Sequence, residues 1–177
     1  VISYANLDAN MTAHMAGVAS TQLPHVLPPP FWWTFMAIGG SGATFALALL
    51  CLVSRSKQLR TVGRLGIVPA FFNINEPIIF GMPLMYNPTM FIPFLLVMPI
   101  NGLLTYGAMA LGIIGKTYAY AGWNMFAPIG ALLSNMEIAS LIFCLALIVI
   151  DALLYLPFFK VYEKQKLEEE AQAATAE

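Results

Sequence analysis

The chain has 177 residues, of which 59% are hydrophobic and 10% charged, with a net charge of −1 and a mean hydropathy of +0.76. Soluble domains carry about 25% charged residues, so this composition excludes an ordinary water-soluble domain and points to a membrane. The near-neutral balance, with no basic patch interleaved with aromatics, excludes a nucleic-acid partner.

Residues 1–30 read as a polar lead-in loop. They lack the basic-then-apolar order of a signal peptide, and the expectation is that earlier membrane segments precede them. "PHVLPPP" (Pro24–Pro30) is a stiff, extended approach to the first span. His14 and His25 have no second ligand at metal spacing and no nucleophile beside them. They read as loop or interface residues, with substrate contact as the alternative. No metal and no cofactor is expected.

Phe31–Val53 is an uncharged run of 23 residues, and a spanning helix needs about 20. Trp32 and Trp33 at its start suit the aromatic belt of the interface. "GGSGAT" (Gly39–Thr44) lacks the GK[ST] ending of a phosphate loop, and within a span its small residues suit close helix packing. Cys51 lies near the C-terminal end of that helix, where nothing activates a thiol; Cys51 and Cys144 both read as small apolar residues. The basic loop "SRSKQLRTVGR" follows, with Arg55, Lys57, Arg60 and Arg64, and belongs on the cytoplasmic side.

Residues 65–87 are apolar but interrupted by Pro69, Pro77, Gly81 and Pro83. They have room for two short arms and read as a re-entrant hairpin. Irregular backbone at membrane depth survives where protein buries it or where it lines a wet cavity, and such broken segments mark transporter binding sites. This one, "FFNINEPIIFGMPLMYNP", holds Glu76 directly before Pro77, flanked by Asn73, Asn75 and Asn87. A carboxylate there is costly unless it is paired or serves a ligand. Pro77 suits the first turn of a helix, so Asn75 or Glu76 as its cap, or Glu76 as partner of a basic-loop residue, is one reading. The other is a site for a hydroxyl-rich ligand. Glu76 accepts hydrogen bonds from neighbouring hydroxyls, and Asn73 and Asn75 both donate and accept.

Residues 88–115 form a second uncharged span, although Pro93, Pro99 and Gly102 interrupt it. Residues 117–136, broken by Gly122, Pro128 and Gly130, read as a second re-entrant hairpin. It carries Trp123, which either stacks on a sugar ring or joins the interfacial belt. Ile138–Phe159 is a third span with a single charge, Asp151, which faces the bundle or snorkels toward the cytoplasm. Glu137, just before it, reads as interfacial. Residues 166–177, "KLEEEAQAATAE", contain good helix formers but no apolar face, and read as an exposed, frayed helix or disorder.

The expected fold is therefore an all-α integral membrane protein of about three spanning helices plus two re-entrant helical hairpins. Residues 31–160 form the substrate-binding membrane domain and 161–177 a cytoplasmic charged tail. With both hairpins re-entrant, the basic loop and the basic "KVYEKQK" after the last span share the cytoplasmic side. If either hairpin crossed fully, one basic segment would lie outside. An intramembrane hydrolase needs a nucleophile and base, or HExxH-type ligands; the sequence offers neither, and no catalytic residue is identified.

The run "SKQLRTVGRLGIVPAFFNINEPIIFGMPLMYNP" resembles the membrane permease (IIC) component of bacterial sugar phosphotransferase systems, in the lactose/cellobiose/diacetylchitobiose branch. "NINEPIIFG" (Asn73–Gly81) is the most specific piece. "LPH" (Leu23–His25), "GGSGAT" and "PFFK" (Pro157–Lys160) fall in the expected order. The resemblance covers nearly the whole chain and the C-terminal part of the family's length. It implies a homodimeric, multi-pass inner-membrane permease that carries a β-linked disaccharide by an elevator-like movement. A cytoplasmic IIB component, served in turn by IIA, then phosphorylates the sugar. It also implies Glu76 as the sugar-binding acid with Asn75 beside it, and Trp123 as the stacking tryptophan. The family's phosphoryl-carrying cysteine belongs to IIB, in keeping with an inert Cys51. Two features depart from the pattern. The family's His-Gly-rich hairpin has no counterpart within these residues, and "GWNMFAP" stands where the family usually has "PWTTPP". An ion-coupled sugar transporter with Glu76 as the coupling site is the alternative.

Overall fold

The computed structural model describes residues 4–176; residues 1–3 of the lead-in and 177 of the tail lie outside the described residues. Among the described residues there is no β-strand. Seven α-helices follow in order: α1 (Tyr4–Met15), α2 (Phe45–Leu52), α3 (Lys57–Phe71), α4 (Glu76–Gly81), α5 (Pro88–Ala110), α6 (Ala127–Asn135) and α7 (Ile138–Ala176). A π-helical stretch, Phe31–Met36, precedes α2.

The burial pattern identifies the solvent. On α7, Ser140, Cys144, Leu147, Asp151, Tyr155 and Phe159 are buried, at the three- and four-residue spacing of one helix face. Ile138, Ile142, Leu145, Val149 and Leu153 point outward. On α5, Asn101, Gly102 and Thr105 face in, while Ile92, Leu95, Leu96 and Leu103 face out. The outward faces of both helices are apolar where a water-soluble bundle presents polar ones, the expected arrangement in lipid. Both helices are long and apolar enough to cross a bilayer.

Phe31–Val53 departs from the single helix expected of it. After the π-helical turn the backbone is left-handed at Gly39, Gly40, Gly42 and Ala43, with φ of 77, 99, 75 and 53°, and α2 restarts only at Phe45. The segment still runs alongside α7. Thr34 O accepts from Cys144 Sγ (3.5 Å), Gly42 O from Tyr155 Oη (2.6 Å), and Ser54 Oγ donates to Glu163 (2.6 Å). From 144 to 163 is 163 − 144 = 19 residues of helix, about 29 Å at 1.5 Å each. That is the length of a crossing, made in two pieces. Close helix packing is thus not what "GGSGAT" provides, because its glycines take conformations that no α-helix contains.

The first hairpin is α3 against α4. Gly66 faces Ile78 and Gly81 faces Val62, where an added Cβ would lie 2.7 Å from Val62 Cγ1. These pairs run antiparallel, as the two arms of a re-entrant loop must. The first arm begins at Lys57, eight residues before the predicted 65 (65 − 57 = 8). Ser56 caps it, accepting from Leu59 N at 3.2 Å, and Glu170 of α7 accepts from Gln58 N at 2.9 Å and Ser56 Oγ at 2.8 Å. The tail is therefore not frayed. It continues α7 as one 39-residue helix, and its glutamates satisfy the orphan N–H groups at the start of α3.

The second hairpin closes on itself at the opposite end. Asn135 Nδ2 donates to Gly115 O at 2.8 Å, and the Tyr118 and Ala119 N–H groups both reach Ser134 O at 2.9 Å. One arm is α6; the other, residues 111–126, is irregular. Glu137 is more than interfacial, since it accepts from Ser20 Oγ and from Gly115 N (2.8 Å). The lead-in likewise is more than loop. It contains α1, whose buried Asn10 exchanges bonds with the His25 backbone and donates to Thr117 O.

Candidate functional site

Three irregular backbones meet: the tip of the first hairpin, the break at 37–44, and the irregular arm of the second hairpin. The tip is built by a helix ending that the sequence encodes. Asn73 is left-handed (φ 58°), a conformation asparagine tolerates better than most residues. Its N–H reaches Ala70 O and the Ile74 N–H reaches Pro69 O, both at 3.1 Å. This pair of reversed bonds is the Schellman ending of a helix, and it turns the chain back toward α4.

The Asn73 side chain then joins all three pieces. Its Oδ1 accepts from Gly39 N at 2.7 Å, and its Nδ2 donates to Trp33 O (3.1 Å) and Trp123 O (2.7 Å). Both amide hydrogens are occupied inside the protein, so Asn73 has no donor left for a ligand. Asn75, 5% exposed, is turned the same way: its Nδ2 donates to Ser41 O (2.7 Å) and Thr44 Oγ1 (2.9 Å). The expected cap role is not taken up, for neither Asn75 nor Glu76 makes a side-chain cap bond to α4.

Glu76 is different. It is the first residue of α4, where the helix dipole favours a negative charge. Its side chain is exposed, and no hydrogen bond or ion pair among the described residues engages it. The basic loop does not pair with it: Arg60 donates twice to Ser54 O (3.0 and 2.7 Å). Trp123, tied through its carbonyl to Asn73, leaves its side chain 52% exposed. An open groove beside it, about 510 Å³, is lined by Phe71, Phe72, Asn124, Met125 and Phe126. Trp33 also fastens this arm, donating from Nε1 to Ala121 O at 2.7 Å. Trp32, by contrast, is 42% exposed and lines an apolar outer groove with Phe31, Met36 and Leu103.

Of the four residues named from sequence, the fold brings Asn73, Asn75 and Trp123 into one bonded junction and sets Glu76 next to it. What sequence reasoning missed is the receiving side, Gly39–Thr44. Its signal was available: three glycines among four residues break a span as surely as the prolines of the hairpins do. His14 and His25 lie away from the junction. His14 stacks on Tyr118 with ring centres 3.8 Å apart, and the His25 backbone is held by Asn10. Among the described residues, no group of acidic, histidine or cysteine side chains is arranged to hold a metal.

A family model described as "Phosphotransferase system, EIIC" matches residues 1–98. The chain is 41% identical over 173 residues to the putative permease IIC component YwbA of Bacillus subtilis (strain 168), which covers 96% of this chain and 38% of that protein. It is 42% identical over 154 residues to the cellobiose-specific EIIC component of Geobacillus stearothermophilus, covering 85% of this chain and 34% of that one. Among solved structures it matches the crystal structure of the transporter ChbC, the IIC component from the N,N'-diacetylchitobiose-specific phosphotransferase system. The TM-score is 0.90 at 35% identity, over 94% of this chain and 39% of that one. The chain thus spans little more than a third of the length of these relatives.

Proposed function

Because the chain belongs to the phosphotransferase-system EIIC family, we propose that it supplies the sugar site of a membrane permease. The permease carries a β-linked disaccharide of the cellobiose, lactose or diacetylchitobiose kind for phosphorylation by a IIB partner. The observation that carries this reading is Glu76, an exposed, unpartnered carboxylate at a junction of broken backbone within an apolar molecule. An ionised carboxylate binds sugar hydroxyls through charge-assisted bonds, and the exposed face of Trp123 suits the C–H face of a pyranose ring. Glu76 and Trp123 contact the sugar. Asn73 and Asn75, whose donors are occupied within the protein, hold those two in place. The relatives named for lactose, cellobiose, lichenan and diacetylchitobiose support the substrate class. The complete permease acts as a homodimer.

The test is energetic. Uptake by the full-length protein in cells requires the phosphoenolpyruvate-driven phosphoryl chain and persists when the ion gradient is collapsed. Uptake that stops with the gradient, and survives loss of the phosphoryl chain, would make Glu76 an ion-coupling site instead.

We also place the end carrying Arg55–Gln58, Glu163 and Glu170 in the cytoplasm, where the IIB partner docks. Lys57→Cys reports on this, because its side chain is exposed while Cys51 and Cys144 are both fully buried. A membrane-impermeant thiol reagent is expected to label it in inside-out vesicles and to leave it unlabelled in right-side-out ones. The opposite pattern would invert the topology.

A further inference from the structure

Asp151 lies on α7, fully buried, opposite Asn101 of α5, also fully buried. Asn101 Nδ2 donates to Asp151 Oδ2 at 3.2 Å. The two remaining oxygens, Asp151 Oδ1 and Asn101 Oδ1, are buried with no hydrogen-bond partner among the described residues. Both are acceptors. An ionised Asp151 would therefore leave two acceptors empty and a charge uncompensated at membrane depth, each of them destabilising.

No described residue nearby neutralises it. Lys116 sits at the far end of the bundle, donating to Leu23 O at 2.6 Å. Lys160 is nine residues further along α7 (160 − 151 = 9), about 13 Å away along the axis. On α7 itself, Tyr155 and Cys144 direct their hydrogens to Gly42 O and Thr34 O. Thr105, one turn along α5, does not serve either oxygen, since its hydroxyl also lacks a partner. No other ionisable residue of α5, α2 or the π-helical stretch faces the pair.

One proton resolves the whole arrangement. We propose that Asp151 is a proton-binding site, carried as the neutral acid, with its Oδ1–H donating to Asn101 Oδ1 while the Asn101 amide donates to Asp151 Oδ2. An acid and an amide are self-complementary in this two-bond ring, and a carboxyl kept neutral so that it can donate has precedent in apolar enzyme sites. The ring sets the register of α7 on α5. It thereby holds Tyr155, one turn onward, against the Gly42 carbonyl in the break that receives the hairpin tip. Asp151 is a positioning residue.

Infrared difference spectroscopy on the full-length protein at neutral pH tests this, comparing wild type with Asp151→Asn in light and heavy water. The expected result is loss of one protonated-carboxyl C=O band that shifts in heavy water, with the carboxylate bands unchanged. Asp151→Asn should also melt close to wild type, because its amide N–H replaces the proton as donor, while Asp151→Leu melts lower. Loss of a carboxylate band overturns the proposal. So does a stabilisation by sodium or potassium that wild type shows and Asp151→Asn lacks, which would make the pair a cation site. If Asp151→Asn does not assemble, Asn101→Leu takes its place. The acid band then moves to the higher frequency of an unbonded carboxyl, and an unmoved band overturns the proposal.

Discussion

Glu76→Gln in the full-length permease is expected to weaken disaccharide binding by about 1.5–3 kcal/mol, the worth of a hydrogen bond to a charged group, or roughly 10- to 100-fold in Kd. The substitution keeps the size of the side chain and its place at the start of α4. It removes the charge and one acceptor. Because Glu76 has no protein partner among the described residues, nothing in the fold is left unpaired, and the melting temperature of the sugar-free protein should hold. That separation is what makes the experiment informative. A calorimetric titration with unchanged affinity would remove Glu76 from the site. A fall in both affinity and melting temperature would turn it into a structural residue.

Gly40→Ala has the second large expected effect, and it acts through the fold. Gly40 has φ +99°, and an added Cβ would meet Asn75 Cγ at 2.6 Å. The left-handed backbone alone costs an L-residue about 1–2 kcal/mol, and overpacking adds about 1–3 kcal/mol. The total is roughly 2–5 kcal/mol, together with displacement of the Asn75 amide and of Glu76 beside it. Gly17→Ala is the control, since Gly17 has φ +92° but nothing within 4 Å of its added Cβ. It carries the backbone strain without the collision. Gly40→Ala should lower the melting temperature more than Gly17→Ala and weaken sugar binding, which Gly17→Ala should leave intact. Equal effects of the two substitutions would mean that the fit between Gly40 and Asn75 does not shape the site.

The Gly40 contact also shows where reading along the chain stops. Prolines and glycines punctuating apolar runs marked both hairpins, because a broken helix needs those residues wherever it occurs. The same punctuation in Gly39–Gly42 reads as helix packing along the chain, because the surrounding run has the right length and no charge. Length and hydropathy describe how much apolar chain is available to cross; they carry no information on backbone conformation within it. The tail was misjudged for a related reason. Residues 166–177 have no apolar face to bury, yet Glu170 is held by N–H and hydroxyl groups more than a hundred residues away in sequence.

Asn73 and Asn75 illustrate the limit most clearly. Their residue type and position beside Glu76 made them ligand-binding candidates, on a hairpin whose tip falls within the expected 65–87 although its first arm starts at Lys57. An amide's two hydrogens serve protein or sugar, and which of these they serve depends on what faces them. Gly39, Ser41, Thr44 and Trp123 face them only because three distant segments converge. By itself, then, the sequence determined the membrane setting, the all-helical class, the two breaks in the apolar chain that become hairpins and the isolated carboxylate, since each follows from local composition and the cost of burying charge and backbone. Only the tertiary structure decided that the first apolar run is broken, that the asparagines hold the junction together, and that Asp151 faces an amide rather than a cation. Those are matters of hydrogen-bond partnership between residues far apart in the chain, and partnership is settled by packing.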